Sequence, residues 1–243
     1  DTWVSGTFAI AFWVIDHIWH LAKTNIGLSS VLGGTGMCIT TEVLKRHGWG
    51  ATCLTEDMEF TMKSLVEGIK TTWAHDAIVY DEKPLTFMQS WNQRKRWAQG
   101  QFDVAHRFIP KMLKAGFERR YIRILDGCLH LLQPHFLLLS TFFIIVSYVQ
   151  SAFPPFYTNI YALVPSQLMT VIMLGQYILP IIILLKIHVK WKAWLYLILY
   201  PVFIYSWIPI VFLGFLHRNE HEWSHTQHTR ALSYGELVGK EKV

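Results

Sequence analysis

Charged side chains are scarce in this 243-residue chain: Asp, Glu, Lys and Arg make up 16% of it, against about 25% in an ordinary globular domain. Hydrophobic residues reach 52% and aromatics 15%. So apolar a composition excludes a disordered chain. Cysteine is also scarce. Cys38, Cys53 and Cys128 are odd in number and widely spaced, which excludes a disulfide scaffold and a close cysteine metal knuckle. They read as reduced thiols on the cytoplasmic side or within a membrane. The excess of Lys and Arg over Asp and Glu is modest, 22 against 17, and does not point to nucleic acid. No secretory leader pattern opens the chain. It starts at Asp1, without Met, directly in helix-like sequence, as expected of a fragment lacking part of a domain.

Charge and apolar runs are unevenly distributed. Most charge precedes residue 124 and most long apolar runs follow it, which predicts a polar domain joined to a membrane domain. Residues 6–23 place Phe8, Phe12, Ile15, Trp19 and Ala22 on one helical face. After the Gly33-Gly34-Thr35-Gly36 turn, residues 37–39 suit a short strand. Thr40 or Thr41 can cap a short helix stopped by Gly48, and Thr55 can cap another with Met58, Met62, Leu65, Val66 and Ile69 on its face. Residues 71–80 are rich in strand formers. This order predicts an α/β fold with a partly parallel sheet over residues 1–85.

Residues 86–109 mix aromatics with a basic stripe. They are too polar to span a membrane and suit an amphipathic helix at its surface, with this interface region reaching residue 123. Within 124–216 lie three apolar stretches, 127–150, 167–185 and 193–215, each near the ~20 residues that cross a bilayer. Arg119, Arg120 and Arg123 put the start of the first inside; the uncharged 151–159 loop falls outside and Lys186, Lys190 and Lys192 return inside. A complete third span puts the polar tail, 217–243, outside. A tail inside requires one re-entrant or interfacial segment. Asp126, His130, Gln133 and His135 crowd the start of the first stretch and suit either an interfacial position or a water-filled path.

Three short motifs occur in order: Gly34-Thr35-Gly36, Thr55-Glu56-Asp57, and Gln93-Arg94-Lys95-Arg96-Trp97. Each alone has an ordinary reading, as a tight turn, a helix start with acids against the dipole, and a membrane-surface helix. Together, ahead of apolar stretches, they resemble the membrane-embedded family 2 glycosyltransferases, which include cellulose, hyaluronan, chitin and poly-N-acetylglucosamine synthases. The family pattern T-E-D then Q-x-x-R-W is matched by Thr55-Glu56-Asp57 and by Gln93, Arg96 and Trp97. The stretches LGGTGMCITTEVL and EWSHTQHTR are most similar to the poly-N-acetylglucosamine synthase branch.

The resemblance implies the C-terminal part of a GT-A catalytic domain followed by interface and transmembrane helices, in a multi-pass cell-membrane protein with a cytoplasmic catalytic domain. It implies inverting transfer from a UDP-sugar, with UDP-N-acetylglucosamine preferred, to a growing β-linked polysaccharide. A non-processive enzyme acting on a lipid is the alternative. Asp57 takes the role of base, a role worth roughly 10²–10⁴ in rate. Glu56, Gln93 and Arg96 serve the donor, Trp97 is a platform for the acceptor sugar, and Gly34, Thr35 and Gly36 let backbone approach the acceptor. Trp223, Thr226, Thr229 and Arg230 match a gate that closes over the donor. Mg²⁺ or Mn²⁺ is implied, but the family's D-x-D is absent from this chain. The cation's ligands are therefore expected upstream of Asp1, and the fragment alone is expected to be inactive. An accessory membrane subunit is compatible with this reading.

One motif competes. His221-Glu222-Trp223-Ser224-His225 matches the H-E-x-x-H zinc-peptidase pattern. Its polar surroundings provide no apolar helix face, and only Glu236 and Glu241 follow as candidates for a third ligand.

Overall fold

The computed structural model describes residues 2–50, 52–152 and 166–220. Among these residues the chain is helical. Helix α1 (Trp3–Ile15) runs through a π-helical stretch, Asp16–Leu21, into α2 (Ala22–Asn25). Then come α3 (Thr41–His47), α4 (Glu56–Val66), α5 (Phe87–Arg119), α6 (Ile122–Ala152), α7 (Ser166–Lys186), α8 (Trp191–Tyr196), α9 (Tyr200–Tyr205) and α10 (Trp207–Leu216).

The expected α/β fold is not what forms. No strand occurs among the described residues. The one β contact is an isolated antiparallel bridge between Ser30 and Thr71, made by the Ser30 amide donating to the Thr71 carbonyl at 2.9 Å. The strand formers of 71–80 have no ladder partner beyond that bridge, and Ile78 is 73% exposed. Strand propensity describes fit to a pleated, half-buried surface; without a neighbouring strand it produces extended chain. Residues 37–39 form a loop for the same reason.

Helix α5 organises the described fold. Its start is fixed by a capping box: the Thr86 hydroxyl accepts from the Gln89 amide at 3.2 Å and the Gln89 side chain accepts from the Thr86 amide at 3.1 Å. At its end Arg120 turns left-handed (φ 53°), and the Tyr121 amide donates to the Gly116 carbonyl at 3.1 Å. Much of α5 is enclosed by other helices. One face packs Val104, Phe108 and Met112 against Met62 and Leu65 of α4 and Ile124, Cys128 and Leu131 of α6. Another packs Ala98 and Phe102 against Val211 of α10. A second core joins Phe8, Ile10 and Ala11 of α1 to Leu184 of α7 and Tyr200 and Phe203 of α9.

Among the described residues one helical segment is long and apolar enough to cross a bilayer, Ile122–Val146; the apolar parts of the later helices, Leu174–Lys186 and Tyr200–Leu216, are shorter. Three full-length spans are therefore not evident. The third apolar stretch is divided into α8, α9 and α10. Pro209, which lacks an N–H, lies just beyond the break at Ser206.

Helix α6 changes character along its length. Ile124 and Leu131 are fully buried, whereas Phe142 is 58% and Tyr148 79% exposed. Its first part is packed by α4 and α5, and its second part presents bare apolar side chains. The polar residues near its start join helices together. Asp126 pairs with Lys23 of α2 at 2.7 Å, His130 stands against Trp19, and the Gln101 amide donates to the His130 carbonyl at 2.9 Å.

Candidate functional site

The site is built where α4 begins against the middle of α5. Glu56 and Asp57 open α4, where the free backbone N–H groups and the helix dipole favour acids. Thr55 precedes them but does not cap: its side chain makes no capping hydrogen bond and lies instead near the Cys53 sulfur, at 3.7 Å. One Asp57 carboxylate oxygen accepts from the Met58 amide at 2.7 Å. The other is 3.6 Å from where a side chain at Gly34 would start. The glycine loop therefore lies directly over the carboxylate. At Gly36 the backbone is left-handed (φ 66°), and a Cβ there would meet the Val79 side chain at 2.6 Å, so the turn requires glycine twice over.

Arg96 faces the same spot from α5, near enough that its charge acts on Asp57 and that Glu56 and Asp57 act on it in return. Burial raises the Asp57 carboxyl above the usual carboxylate range and Glu56 adds to this, while the Met58 amide and Arg96 pull it back. Burial also lowers the Arg96 guanidinium, against the pull of Glu56 and Asp57. The result is a carboxylate of unusual basicity beside a cation.

The structure thus brings together Gly34, Glu56, Asp57 and Arg96, so that all three sequence motifs contribute. Thr35 and Gly36 are exposed on the same loop. Gln93 lies one helical turn before Arg96, on the same side of α5, and its side-chain oxygen is buried without a hydrogen-bond partner. Trp97 turns the other way. Its ring meets Phe8 edge-on at 5.9 Å and Phe12 at 6.2 Å, so it is half-buried in the α1 core. Trp223, Thr226, Thr229 and Arg230 lie outside the described residues, as does the H-E-x-x-H motif. Among the described residues, no group of three or more His, Cys, Asp and Glu side chains is placed to hold a metal ion.

Sequence reading missed several residues around the site. Arg94 is 0% exposed. Its guanidinium donates to the Phe203 carbonyl at 3.1 Å and to the Ser206 hydroxyl at 2.8 Å, and it lies 4.3 Å from the Phe203 ring centre. Burial pushes it down to about 10. Arg107 was also passed over. It binds Glu59 at 2.7 Å and Asp103 at 2.8 Å. The spacing 96, 100, 103, 107 along α5 carried the signal, since these residues share one helical face.

Residues 2–213 match the family model described as glycosyl transferase family group 2. A stretch of 86 residues, 35% of this chain, is 29% identical to the probable glycosyltransferase YdaM of Bacillus subtilis (strain 168). That stretch covers 20% of YdaM, so the chain spans about a fifth of this relative's length. No solved structure matches the chain significantly.

Proposed function

The chain belongs to glycosyl transferase family group 2, and we propose that its full-length protein moves a sugar from a UDP-sugar to a growing β-linked polysaccharide with inversion at the anomeric carbon. The observation that carries this reading is the meeting of Asp57, Arg96 and the Gly34 loop at one place. An acceptor hydroxyl attacks the anomeric carbon, forming the new C–O bond. The bond from that carbon to the diphosphate breaks, and its electron pair leaves with UDP. The hydroxyl proton passes to Asp57. A raised carboxylate pKa suits this task, because a base works best when its pKa approaches the working pH. Arg96, with a fork of N–H donors, meets the charge growing on the diphosphate, and the nearby Gln93 amide adds a donor. A divalent cation would further neutralise the diphosphate.

The setting we propose is the cytoplasmic face of the cell membrane. Exposed apolar side chains along the second half of α6, including Phe136, Leu139, Phe142, Ile145 and Tyr148, form a surface that water does not suit. The shorter apolar helices also leave Ile182, Leu185, Val202 and Phe212 exposed. Membranes carrying the full-length protein, incubated with radiolabelled UDP-N-acetylglucosamine, are expected to incorporate label into high-molecular-mass product. Label confined to a lipid extract would instead identify the non-processive alternative, and no transfer from any UDP-sugar would refute the proposal.

The pH dependence has a definite sign. Arg96 lowers the Asp57 pKa, so Arg96→Ala raises it further. The acid limb of the residual kcat profile is expected to move to higher pH, because Asp57 is then protonated over more of the range. An unmoved or oppositely moved limb would show that Arg96 does not act on the base.

A further inference from the structure

The sharpest close approach beside the site involves a residue with no side chain. A Cβ built on Gly100 would stand 2.5 Å from the Thr55 hydroxyl oxygen, 2.6 Å from its methyl carbon and 2.9 Å from its Cβ. All three distances lie inside van der Waals contact. The start of α4 therefore rests directly on the backbone of α5, at a point where any side chain would push it away. Gly100 lies one turn beyond Arg96 on the same face of α5. Thr55 is two residues before Asp57. The contact thus joins the two residues next to the proposed base and its cation.

The stripe continues along α5. Beyond Gly100, Asp103 and Arg107 take up the next positions on that face, and Arg107 holds Glu59 of α4 at 2.7 Å and the Thr52 hydroxyl at 2.9 Å. The Thr52 hydroxyl in turn donates to Glu59 at 2.6 Å. The α4 start is therefore attracted to α5 at Arg107 and brought to backbone contact at Gly100. The ion pair supplies attraction, and the missing side chain decides how close the helices come. Thr55 has no capping bond to lose; its side chain packs on the Gly100 backbone and lies beside the Cys53 sulfur.

We propose that Gly100 is a positioning residue for sugar transfer: through its contact with Thr55 it sets the separation of Asp57 from Arg96. This rests on the reading of Asp57 as the base. A methyl group at position 100 must displace Thr55 or rotate α4, and a misplacement of about 1 Å at a reacting group can cost on the order of 10²-fold in rate.

The test is a two-by-two set in the full-length protein: wild type, Gly100→Ala, Thr55→Gly and the double variant, each measured for kcat, donor KM and thermal midpoint. Gly100→Ala is expected to lower kcat at least about tenfold while donor KM changes by less than about threefold. With Thr55→Gly already present, the same alanine should cost less than about threefold, because the atoms it would strike are gone. If Gly100→Ala does not fold, a double variant that folds and turns over also supports the contact. An equal loss in both backgrounds, an undiminished kcat, or failure of both alanine variants to fold overturns the inference. Asp57→Asn run in parallel separates the two readings. If it stays active, the assignment of the base fails. If it is dead while Gly100→Ala is fully active, only the role of Gly100 fails.

Discussion

Asp57→Asn in the full-length protein is expected to lower turnover by roughly 10²–10⁴ while leaving the protein at least as resistant to heat as wild type at neutral pH. The two halves of this result have one cause. Asp57 is mostly enclosed, and burial raises its pKa above that of an unfolded-chain aspartate. A raised pKa in the folded state means that folding favours the protonated acid. The associated stability is greatest below the unfolded pKa and is lost as pH rises through the folded one. At neutral pH the ionised carboxylate is therefore a burden on the fold, which asparagine removes.

Asparagine also keeps the local bond, since its side-chain oxygen can accept from the Met58 amide as Asp57 does at 2.7 Å. It cannot take a proton from an acceptor hydroxyl. If Thr55-Glu56-Asp57 were only a helix start, asparagine would be nearly as good there, with a cost of about 0.3–1 kcal/mol for the lost charge near the helix dipole and little effect on rate. Turnover and melting of the purified variant, measured together, separate these readings. Near wild-type turnover would falsify the assignment of Asp57 as base.

The sequence motifs named residues that the fold groups together, but their surroundings were not legible. Three motifs pointed to Gly34, Glu56, Asp57 and Arg96, and these residues converge. The proposed chemistry needs a carboxylate, a guanidinium and a backbone turn, and such needs restrict residue type, which a motif displays directly. The α/β expectation failed because residues 71–80 carry strand propensity without a strand beside them, and propensity cannot report whether a partner exists. Trp97 was read by chemistry as a platform, and nothing in the sequence signalled that Phe8 and Phe12, distant along the chain, pack against its ring. The apolar run around α6 was read as one span. Periodicity could not show that Ile124, Cys128 and Leu131 are covered by α4 and α5 while the residues after Pro134 are largely bare.

Arg94 and Arg96 provide the strongest contrast. They stand two apart in one short motif, and composition treats them alike as parts of a basic stripe. On a helix, positions two apart point in different directions. Arg96 looks toward Asp57, while Arg94 points into the protein, where it fastens α5 to the break between α9 and α10 through Phe203 and Ser206. Arg94→Ala removes three charge-assisted hydrogen bonds, to the Ser90 and Phe203 carbonyls and the Ser206 hydroxyl, each about 1.5–3 kcal/mol at best geometry, and leaves a cavity where a large side chain was. Against this stands the relief of no longer burying a cation, which has no acid partner among the described ion pairs. The net expectation is a loss of about 3–5 kcal/mol, equivalent to a thermal midpoint lower by roughly 6–20 °C. Arg96→Ala is expected to do the reverse: a midpoint within about 2 °C of wild type and a fall in kcat of about 10²–10³. The two variants are compared in detergent by thermal melting and in membranes by sugar transfer. Arg94→Ala with an unchanged midpoint would mean that its hydrogen bonds only balance the cost of burying it. Arg96→Ala with unchanged turnover would remove the cation from the mechanism.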